Sequence, residues 1–354
     1  MSFMNEWYSQ TGPMEDVILS SRIRLSRNLT GHQFPGSMGH QEEETVRNKI
    51  LSAFSRLSPD EDLHALSLEE LRPNERRLLF EKKLISQDFS LNKEKTLVLD
   101  RNYQFSGMIN GEDHLRMAAL SGGLSLRDLY ARINRVDESL EEVIDFAATL
   151  ELGYLAGDLQ NLGTGMKASL MVHLPALVET GLIEKALKAM LHADFQVKGF
   201  FGDDEESLGQ FYLVANRNTL GVSEEEIQEK LEGMAQQLVT YERMAREDLL
   251  SKKQLYLEDR VFRALGLLKS CRLLSYRESV EAISSLRMGV ILKWLELPPE
   301  KLNALLITGQ TSHLQERLLR SEGGSDEQAV DQERAGYFRE ELFGTGIQKE
   351  MTDV

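Results

Sequence analysis

Three arginines lie close together early in the chain, and their side chains are the first that suggest chemistry. Residues 20–28 read SSRIRLSRN, which includes Arg22, Arg24 and Arg27. In an extended strand, residues i and i+2 share a face, so Arg22 and Arg24 can point together at one anionic group. A paired guanidinium clamp suits phosphate. The alternative is an edge strand whose positive charges are solvated.

A second cluster follows the strand-like run that begins at Tyr103. The segment INGEDHLRM places Glu112, Asp113, His114 and Arg116 in one loop. Glu112 can accept a proton or orient a cationic substrate, Asp113 can hold waters on a magnesium ion, and Arg116 can bind phosphate. The cluster predicts the rim of an active site, with a polar turn as the alternative.

Two later segments combine glycines with a lysine. In NLGTGMKASLMVHLP, glycines flank Thr164 and Lys167 follows, so backbone amides and one charge can approach phosphate, although the spacing is not that of a Walker P-loop. The apolar run after it predicts a helix in which His173 packs. In VKGFFGDDEESLG, Lys198 ends a strand, and the next loop can close over a site with Asp203 or a neighbouring acid facing a cation. A solvated acidic loop is the alternative.

The elements that must position these residues show α+β patterning. Strand-like runs alternate with helical stretches over the first 220 residues, and these runs begin at Thr96, Tyr103, Asp194 and Gly209. From Ser223 the pattern is almost wholly helical, and Ser223 with Glu226 predicts a capping box. A soft boundary near residue 250 predicts two domains, residues 1–250 and 251–354.

Composition excludes several classes of protein. The chain has 354 residues and 41% hydrophobic content, enough to bury a core in about two domains. Its net charge of -16 disfavours nonspecific binding to nucleic acid or anionic lipid. One cysteine, Cys271, excludes an internal disulfide, and no apolar leader is evident. We therefore expect a cytoplasmic protein with no nucleic-acid or membrane partner, in which any metal arrives with a nucleotide.

Taken in order, the four segments resemble motifs of the ATP:guanido phosphotransferases, the family of creatine and arginine kinases, and more specifically those of bacterial protein-arginine kinases. SSRIR is similar to the family's serine-arginine-x-arginine stretch, and NGEDHLR to its Asn-Glu-Glu-Asp-His-x-Arg motif. NLGTGMK is similar to its N-x-GTG-x-R segment, and KG to its RG strand. The first motif arrives too early for the N-terminal helical domain of creatine kinase relatives, and a helical C-terminal region containing LEDRVFRALGLLKSCRLLS is present instead.

The resemblance implies both a fold and an activity. The fold is a guanidino-kinase catalytic domain, with an antiparallel sheet flanked by helices, followed by a smaller all-helical domain for dimerisation and substrate docking. The activity is transfer of the γ-phosphoryl group of ATP, with Mg2+, to arginine side chains of proteins. Implied partners are proteins with exposed arginines, an activator protein and a Clp-type ATPase or protease. The implied setting is protein quality control or stress response, and the implied assembly is a homodimer or higher oligomer.

The motif match also implies a role for individual residues. The implied catalytic carboxylates are Glu112 as the base, Asp203 on the closing loop and Asp158 near the guanidinium. Asp331 and Arg334, in VDQERA, match the Arg-Asp-x-x-Arg-Ala stretch that reads phosphoarginine. The implied nucleotide-binding cations are Arg22, Arg24, Arg116, Lys167, Lys198 and Lys83.

Several positions depart from the family pattern around this one site. Lysine in place of arginine keeps the charge but loses the bidentate fork that fits phosphate. The sum leaves two alternatives to an active protein kinase. One is a catalytically weakened regulatory subunit that binds nucleotide or phosphoarginine, and the other is a kinase for a small guanidino metabolite. The departures are Gly111 for a glutamate, Asp158 for a reactive cysteine, Lys167 and Lys198 for arginines, Lys83 for a histidine, and Val330 for an arginine.

Overall fold

The fold is built around one antiparallel sheet. The computed structural model of the protein describes residues 6–57, 62–201, 207–320 and 326–344. The strands are β1 (Ile18–Arg27), β2 (Leu63–Ser67), β3 (Thr96–Asp100), β4 (Phe105–Ile109), β5 (Leu115–Gly122), β6 (Ala148–Thr149), β7 (Gly153–Tyr154), β8 (Met166–His173), β9 (Phe195–Gly199) and β10 (Phe211–Asn216). In these parts of the chain, an eight-stranded antiparallel sheet has the order β2-β3-β4-β5-β1-β8-β10-β9. The predicted α+β class is confirmed.

Helices cover the sheet and build the C-terminal part of the chain, as the sequence predicted. They are α1 (His40–Phe54), α2 (Pro73–Glu81), α3 (Gln87–Leu91), α4 (Leu126–Glu141), α5 (Pro175–Glu179), α6 (Ile183–His192), α7 (Glu224–Ser270), α8 (Tyr276–Ile291), α9 (Pro299–Thr308), α10 (Thr311–Arg320) and α11 (Glu327–Phe343). None of the helices in the described ranges is long and apolar enough to cross a membrane.

Strands β3, β4, β9 and β10 lie where the sequence predicted strands, whereas β8 does not. The apolar run after Lys167 was predicted to be a helix, and this prediction is wrong because the run is β8, in the interior of the sheet. A strand buried on both faces is apolar throughout, so its periodicity does not distinguish it from a buried helix. His173 does pack as expected: its ring stacks on Phe211, and its Nε2 lies 2.8 Å from the hydroxyl of Ser284.

Helix α7 begins at the predicted capping box and crosses the predicted domain boundary. The hydroxyl of Ser223 accepts a hydrogen bond from the Glu226 N–H at 3.1 Å, and the Glu226 carboxylate accepts one from the Ser223 N–H at 3.2 Å. The capping box is therefore confirmed. The helix is kinked at Lys253, where φ is -138° and ψ is 33°. The division into two domains near residue 250 stays a prediction.

The two faces of the sheet pack against different helices. On one face, Ile23 and Leu25 of β1 share a core with α1, α4 and α7. On the opposite face, Leu120 of β5 and Met171 of β8 share a core with α8, α9 and α11. Burial of apolar surface on both sides fixes the position of β1, because a shift by one residue would turn its core side chains to the wrong face.

Arg27, at the end of β1, is satisfied inside the protein. Its guanidinium donates to the Asp137 carboxylate of α4, with the shortest contact at 2.6 Å, and to two backbone carbonyl groups. It also lies over the ring of Tyr154, 3.6 Å from the ring centre. Arg27 is therefore a structural residue, unlike its neighbours Arg22 and Arg24.

The substitution Asp137→Asn should destabilise the fold, because it leaves the buried charge of Arg27 without its counter-charge. We expect a loss of roughly 3–5 kcal/mol in the free energy of unfolding, measured by urea denaturation. As a control, Asp259→Asn breaks an exposed pair with Arg263 and should change stability by less than about 1 kcal/mol. Equal losses in the two variants would contradict a structural role for the buried pair.

Candidate active site

One face of the sheet carries a cluster of cationic side chains. In the register of the sheet, Arg24 lies opposite Lys167 of β8, and Arg116 of β5 lies opposite Ser26 of β1. Opposed residues share a face, and side chains alternate along β1, so these cations and Arg22 project from the same side. This is the face of the sheet that packs against α8, α9 and α11.

Two more lysines extend the cluster. Lys198 of β9 is exposed, and burial lowers the pKa of Lys167 with further lowering from the charges of Arg24 and Lys198. Lys83 follows α2, and burial lowers its pKa to about 8, with a smaller contribution from the charge of Arg22. The structure therefore brings together, on one side of the sheet, cations from five separate segments of the sequence that were predicted to bind nucleotide.

Arg22 and Arg24 are the central arginines of this cluster. Within the described ranges, no carboxylate lies at ion-pairing distance from Arg22 or Arg24, and the Nε of each is buried without a hydrogen-bond partner. Burial and the charge of Arg116 lower the pKa of both groups. A guanidinium nevertheless stays charged at neutral pH, so the cluster is held against its own repulsion, which an entering anion would relieve.

Glu112 lies on the turn between β4 and β5, and its carboxylate is exposed. It forms an ion pair with Nη2 of Arg116, whose Nε is buried without a partner in the described structure. The pair places the predicted base directly beside the predicted phosphate site. An anion that binds Arg116 would compete with this ion pair and free the carboxylate of Glu112.

Asp158 lies close to the turn that carries Glu112, because the residue before it, Gly157, packs against the backbone of that turn. A Cβ at Gly157 would lie 2.6 Å from the carbonyl oxygen of Glu112, so a larger residue could not make this approach. Asp158 is exposed and accepts a hydrogen bond from the N–H of Gln160 at 3.0 Å. Burial lowers the pKa of Lys167 and the charge of Asp158 opposes that effect, so this carboxylate acts on the cationic face.

Asp113 and His114 do not lie on the rim, contrary to expectation. Asp113 is fully buried, and its Oδ1 accepts hydrogen bonds from the side chain of Asn28 and the N–H of Gly157. Its carboxylate is enclosed by protein, so it is not placed to bind waters of a magnesium ion. His114 is also fully buried, and burial lowers its pKa. Of this loop, Glu112 and Arg116 face the candidate site.

The predicted phosphoarginine stretch lies in α11, and its arginine is buried. Arg334 donates from Nε to the carbonyl of Gly309 at 2.8 Å and from Nη1 to that of Leu274 at 2.7 Å, and it forms an ion pair with Asp331. These contacts tie α11 to the end of α9 and to the segment before α8. Phosphoarginine binding by Asp331 and Arg334 stays a prediction. Asp203, the predicted partner of Glu112, lies outside the described residues.

Within the described ranges, no group of three or more His, Cys, Asp or Glu side chains is placed to bind a metal ion. Magnesium usually keeps several waters and is bound by one or two carboxylates together with substrate phosphates. The exposed carboxylates of Glu112 and Asp158 lie beside the cationic face. A magnesium ion that arrives with a nucleotide would therefore be held mainly by phosphate oxygens and water.

Comparison with family models identifies two parts of the chain. A model described as the ATP:guanido phosphotransferase C-terminal catalytic domain matches residues 45–245. A second model, described as the protein-arginine kinase McsB C-terminal domain, matches residues 254–352. The first match alone spans more than half of the chain and includes the turn with Glu112.

Comparison with individual proteins also finds kinases that are similar to this chain. A protein-arginine kinase of Geobacillus sp. strain WCH70 is 38% identical over 343 residues, which cover 96% of this chain and 94% of that protein. A protein-arginine kinase of Desulforamulus reducens is 41% identical over 316 residues, covering 88% of each chain. The crystal structure of a lombricine kinase matches with a TM-score of 0.59 at 23% identity, covering 68% of this chain and 70% of that one. This last similarity shows a shared fold.

We expect anion binding at the candidate site to depend on pH, because the pKa of Lys83 is lowered to about 8. Lys83 is protonated below about pH 8 in the free protein, and a bound anion would raise its pKa again. Binding of ATP, the ligand that the sequence resemblance implies, should therefore take up a proton above pH 8. Because the terminal phosphate is already ionised there, affinity should fall by up to about tenfold per pH unit as pH rises.

Titration calorimetry between pH 7.5 and pH 9.5, in buffers of different ionisation enthalpy, measures both the affinity and the proton uptake. The variant Lys83→Arg keeps its charge throughout this range and is the matched control, with a flatter dependence expected. Parallel pH profiles for the two proteins would place Lys83 outside the anion site.

Proposed function

Since the chain belongs to the ATP:guanido phosphotransferase family, we propose that it is a protein-arginine kinase, which transfers the γ-phosphoryl group of ATP to arginine side chains of proteins. The observation that carries this proposal is the group of half-buried cations beside the exposed carboxylate of Glu112; within the described ranges, Arg22 and Arg24 form no ion pair. Phosphoryl transfer requires mainly charge neutralisation and positioning. A cationic face provides the first requirement, and adjacent carboxylates can position a guanidinium.

Arg22, Arg24 and Arg116 bind the triphosphate in this proposal. They project from two neighbouring strands on one face, so they can contact successive phosphate oxygens without rearrangement of the backbone. Lys167 and Lys83 add charge at the edges of the same surface. Mg2+ enters as part of the Mg-ATP substrate and neutralises further charge on the phosphates.

Glu112 prepares the acceptor. A protonated guanidinium is a poor nucleophile, so a carboxylate must orient it and remove a proton. As a guanidinium nitrogen of the substrate forms its bond to the γ-phosphorus, its proton passes to Glu112. The bond from that phosphorus to the bridging oxygen breaks, and ADP leaves with the electron pair. Binding of phosphate at Arg116 frees Glu112 from its ion pair, so nucleotide binding readies the base.

Asp158 provides a second negative charge for the substrate guanidinium. Gly111 lacks the carboxylate that the family pattern has next to the base, yet a Cβ there would lie 3.5 Å from the ring of Phe89, an ordinary contact. Packing therefore does not require glycine at this position. Because Gly157 seats its loop on the backbone of Glu112, Asp158 enters the site from that loop and replaces the missing charge.

A weakened regulatory relative is the second candidate, and the departures on the acceptor side favour it. Lys167 and Lys198 also depart from the family pattern, but each keeps the positive charge of the arginine that it replaces. Gly111 and Asp158 change the groups that would hold the guanidinium, so phosphoryl transfer is the step at which such a relative would fail. Nucleotide binding without phosphoarginine formation is the result that would identify it.

The setting and the assembly are further parts of the proposal. The helical region from α8 to α11 would serve dimerisation and substrate docking. The cytoplasm, stress response, an activator protein and a Clp-type ATPase or protease are predictions from the family resemblance. They define where substrates with exposed arginines would be sought.

The variant Glu112→Gln should abolish phosphoarginine formation, because the amide cannot accept the proton. Purified protein would be incubated with Mg-ATP and an arginine-rich protein such as casein, then measured by mass spectrometry at neutral pH, which preserves the acid-labile P–N bond. We expect a rate reduction of roughly 100-fold or more. The control Glu142→Gln, at the exposed end of α4, should retain the rate. An intact rate in Glu112→Gln would refute its role as the base.

The variant Lys167→Arg should tighten ATP binding, because a guanidinium offers two parallel hydrogen bonds to phosphate. One added charge-assisted bond corresponds to a decrease of up to about tenfold in the dissociation constant. Calorimetric titration with Mg-ATP measures it, and Lys188→Arg, on the exposed side of α6, is the matched control. An unchanged constant in Lys167→Arg would remove this residue from phosphate contact.

A further inference from the structure

Asn28 follows the last residue of β1, and its side chain is buried between two loops of the candidate active site. Only 1% of the residue is exposed. Its Oδ1 accepts a hydrogen bond from the N–H of His114 at 2.9 Å, and its Nδ2 donates to Oδ1 of Asp113 at 2.8 Å and to the carbonyl of Leu155 at 3.0 Å. One partner can only donate and the others only accept, so the orientation of the amide is determined by its neighbours.

Asp113 extends this contact to the loop that carries Asp158. The same Oδ1 that accepts from Asn28 also accepts from the N–H of Gly157 at 2.7 Å. Gly157 in turn lies against the carbonyl oxygen of Glu112. Two residues, one from the turn and one from the end of β1, therefore hold the backbone just before Asp158 against the backbone of Glu112.

His114 completes the anchoring of the turn. Its Nδ1 accepts from the N–H of Leu29 at 2.9 Å, and its Nε2 lies 2.7 Å from the carbonyl oxygen of Gln33, to which it donates. This pattern requires the neutral ring protonated at Nε2, and burial lowers the pKa of His114 in agreement. In this turn, the exposed carboxylate of Glu112 is followed by two consecutive buried anchors, Asp113 and His114.

We propose that Asn28 is a positioning residue, which acts through Asp113 to hold Glu112 and Asp158 at a fixed separation. The catalytic consequence rests on the function proposed above: both carboxylates must meet one guanidinium, and a displacement of about 1 Å can reduce a rate 100-fold. Arg22 and Arg24 are fixed by the ladder of the sheet, whereas the two carboxylates lie on loops. The hydrogen bonds of Asn28 fix the positions of those loops, as strand pairing fixes the positions of the arginines.

The variant Asn28→Ala separates this role from a purely structural one. We expect kcat for arginine phosphorylation to fall roughly 10- to 100-fold, with the dissociation constant of ATP changed less than about threefold, because the cationic face does not depend on this contact. A loss of folded protein alone would lower the active concentration, but it would leave kcat per folded molecule unchanged. Active-site titration with ATP supplies that concentration.

Amide hydrogen exchange provides a readout that needs no catalysis. The N–H of Gly157 donates to Asp113, and the N–H of His114 donates to Asn28. Exchange of both amide hydrogens should accelerate by about tenfold or more in Asn28→Ala. The N–H of Ala168, on β8, should exchange as in the parent protein. Thr308→Val, which removes a buried hydroxyl that contacts Tyr337 in the helical region, is the control with neither effect.

Asp113→Asn preserves the shape of the side chain and keeps the test decisive if Asn28→Ala does not fold. It should give the same pattern in milder form, and the double variant should be no worse than the more severe single one, because both act through one contact. Unchanged kcat with uniform exchange in both variants would overturn the proposal. If the parent protein forms no phosphoarginine, the proposed function fails, and the exchange pattern alone still decides whether Asn28 joins the two loops.

Discussion

The repulsion among half-buried arginines at the centre of the sheet is the constraint on which the rest of the structure depends. Arg22 and Arg24 cannot turn away from one another, because β1 is hydrogen-bonded to a strand on each side. Their alternate neighbours, Ile23 and Leu25, are held in the core of the opposite face. A slip that separated the charges would expose that core. Apolar burial therefore maintains an electrostatic repulsion that the charges of Glu112 and Asp113 reduce in part at Arg24 and that an entering anion would reduce further.

The same balance shows which departures from the family pattern matter most. Replacing arginine by lysine at Lys167 preserves the net positive charge, so the attraction for a triphosphate survives while its geometry becomes less defined. Gly111 and Asp158 instead redistribute negative charge around the acceptor. An active kinase and a regulatory relative would share the first property and differ in the second. In the proposed function, the groups that hold the acceptor guanidinium, which lie on loops, distinguish an active kinase from a regulatory relative.

Sequence reasoning succeeded where a local rule was sufficient. The i, i+2 spacing gave the shared face of Arg22 and Arg24, and the spacing of Ser223 and Glu226 gave the start of α7. The same alternation places Arg27 on the opposite face, but it could not show that Arg27 pairs with Asp137, 110 positions away. Asn28 was missed for the same reason, since its partner Asp113 is 85 positions away, and only the ladder between β1 and β5 brings the two together.

The arginines of this chain differ in whether their N–H donors are already hydrogen-bonded within the protein, and this difference decides which of them can bind an anion. Arg334 has its Nε and Nη1 bonded to buried carbonyl groups and to Asp331. Binding a phosphoryl group with those donors would leave the carbonyl groups unpaired, at about 1–3 kcal/mol for each. In the described ranges, by contrast, the Nε of Arg24 has no partner to lose. In the proposed function Arg24 can therefore bind the triphosphate at little cost, whereas the donors of Arg334 are already used.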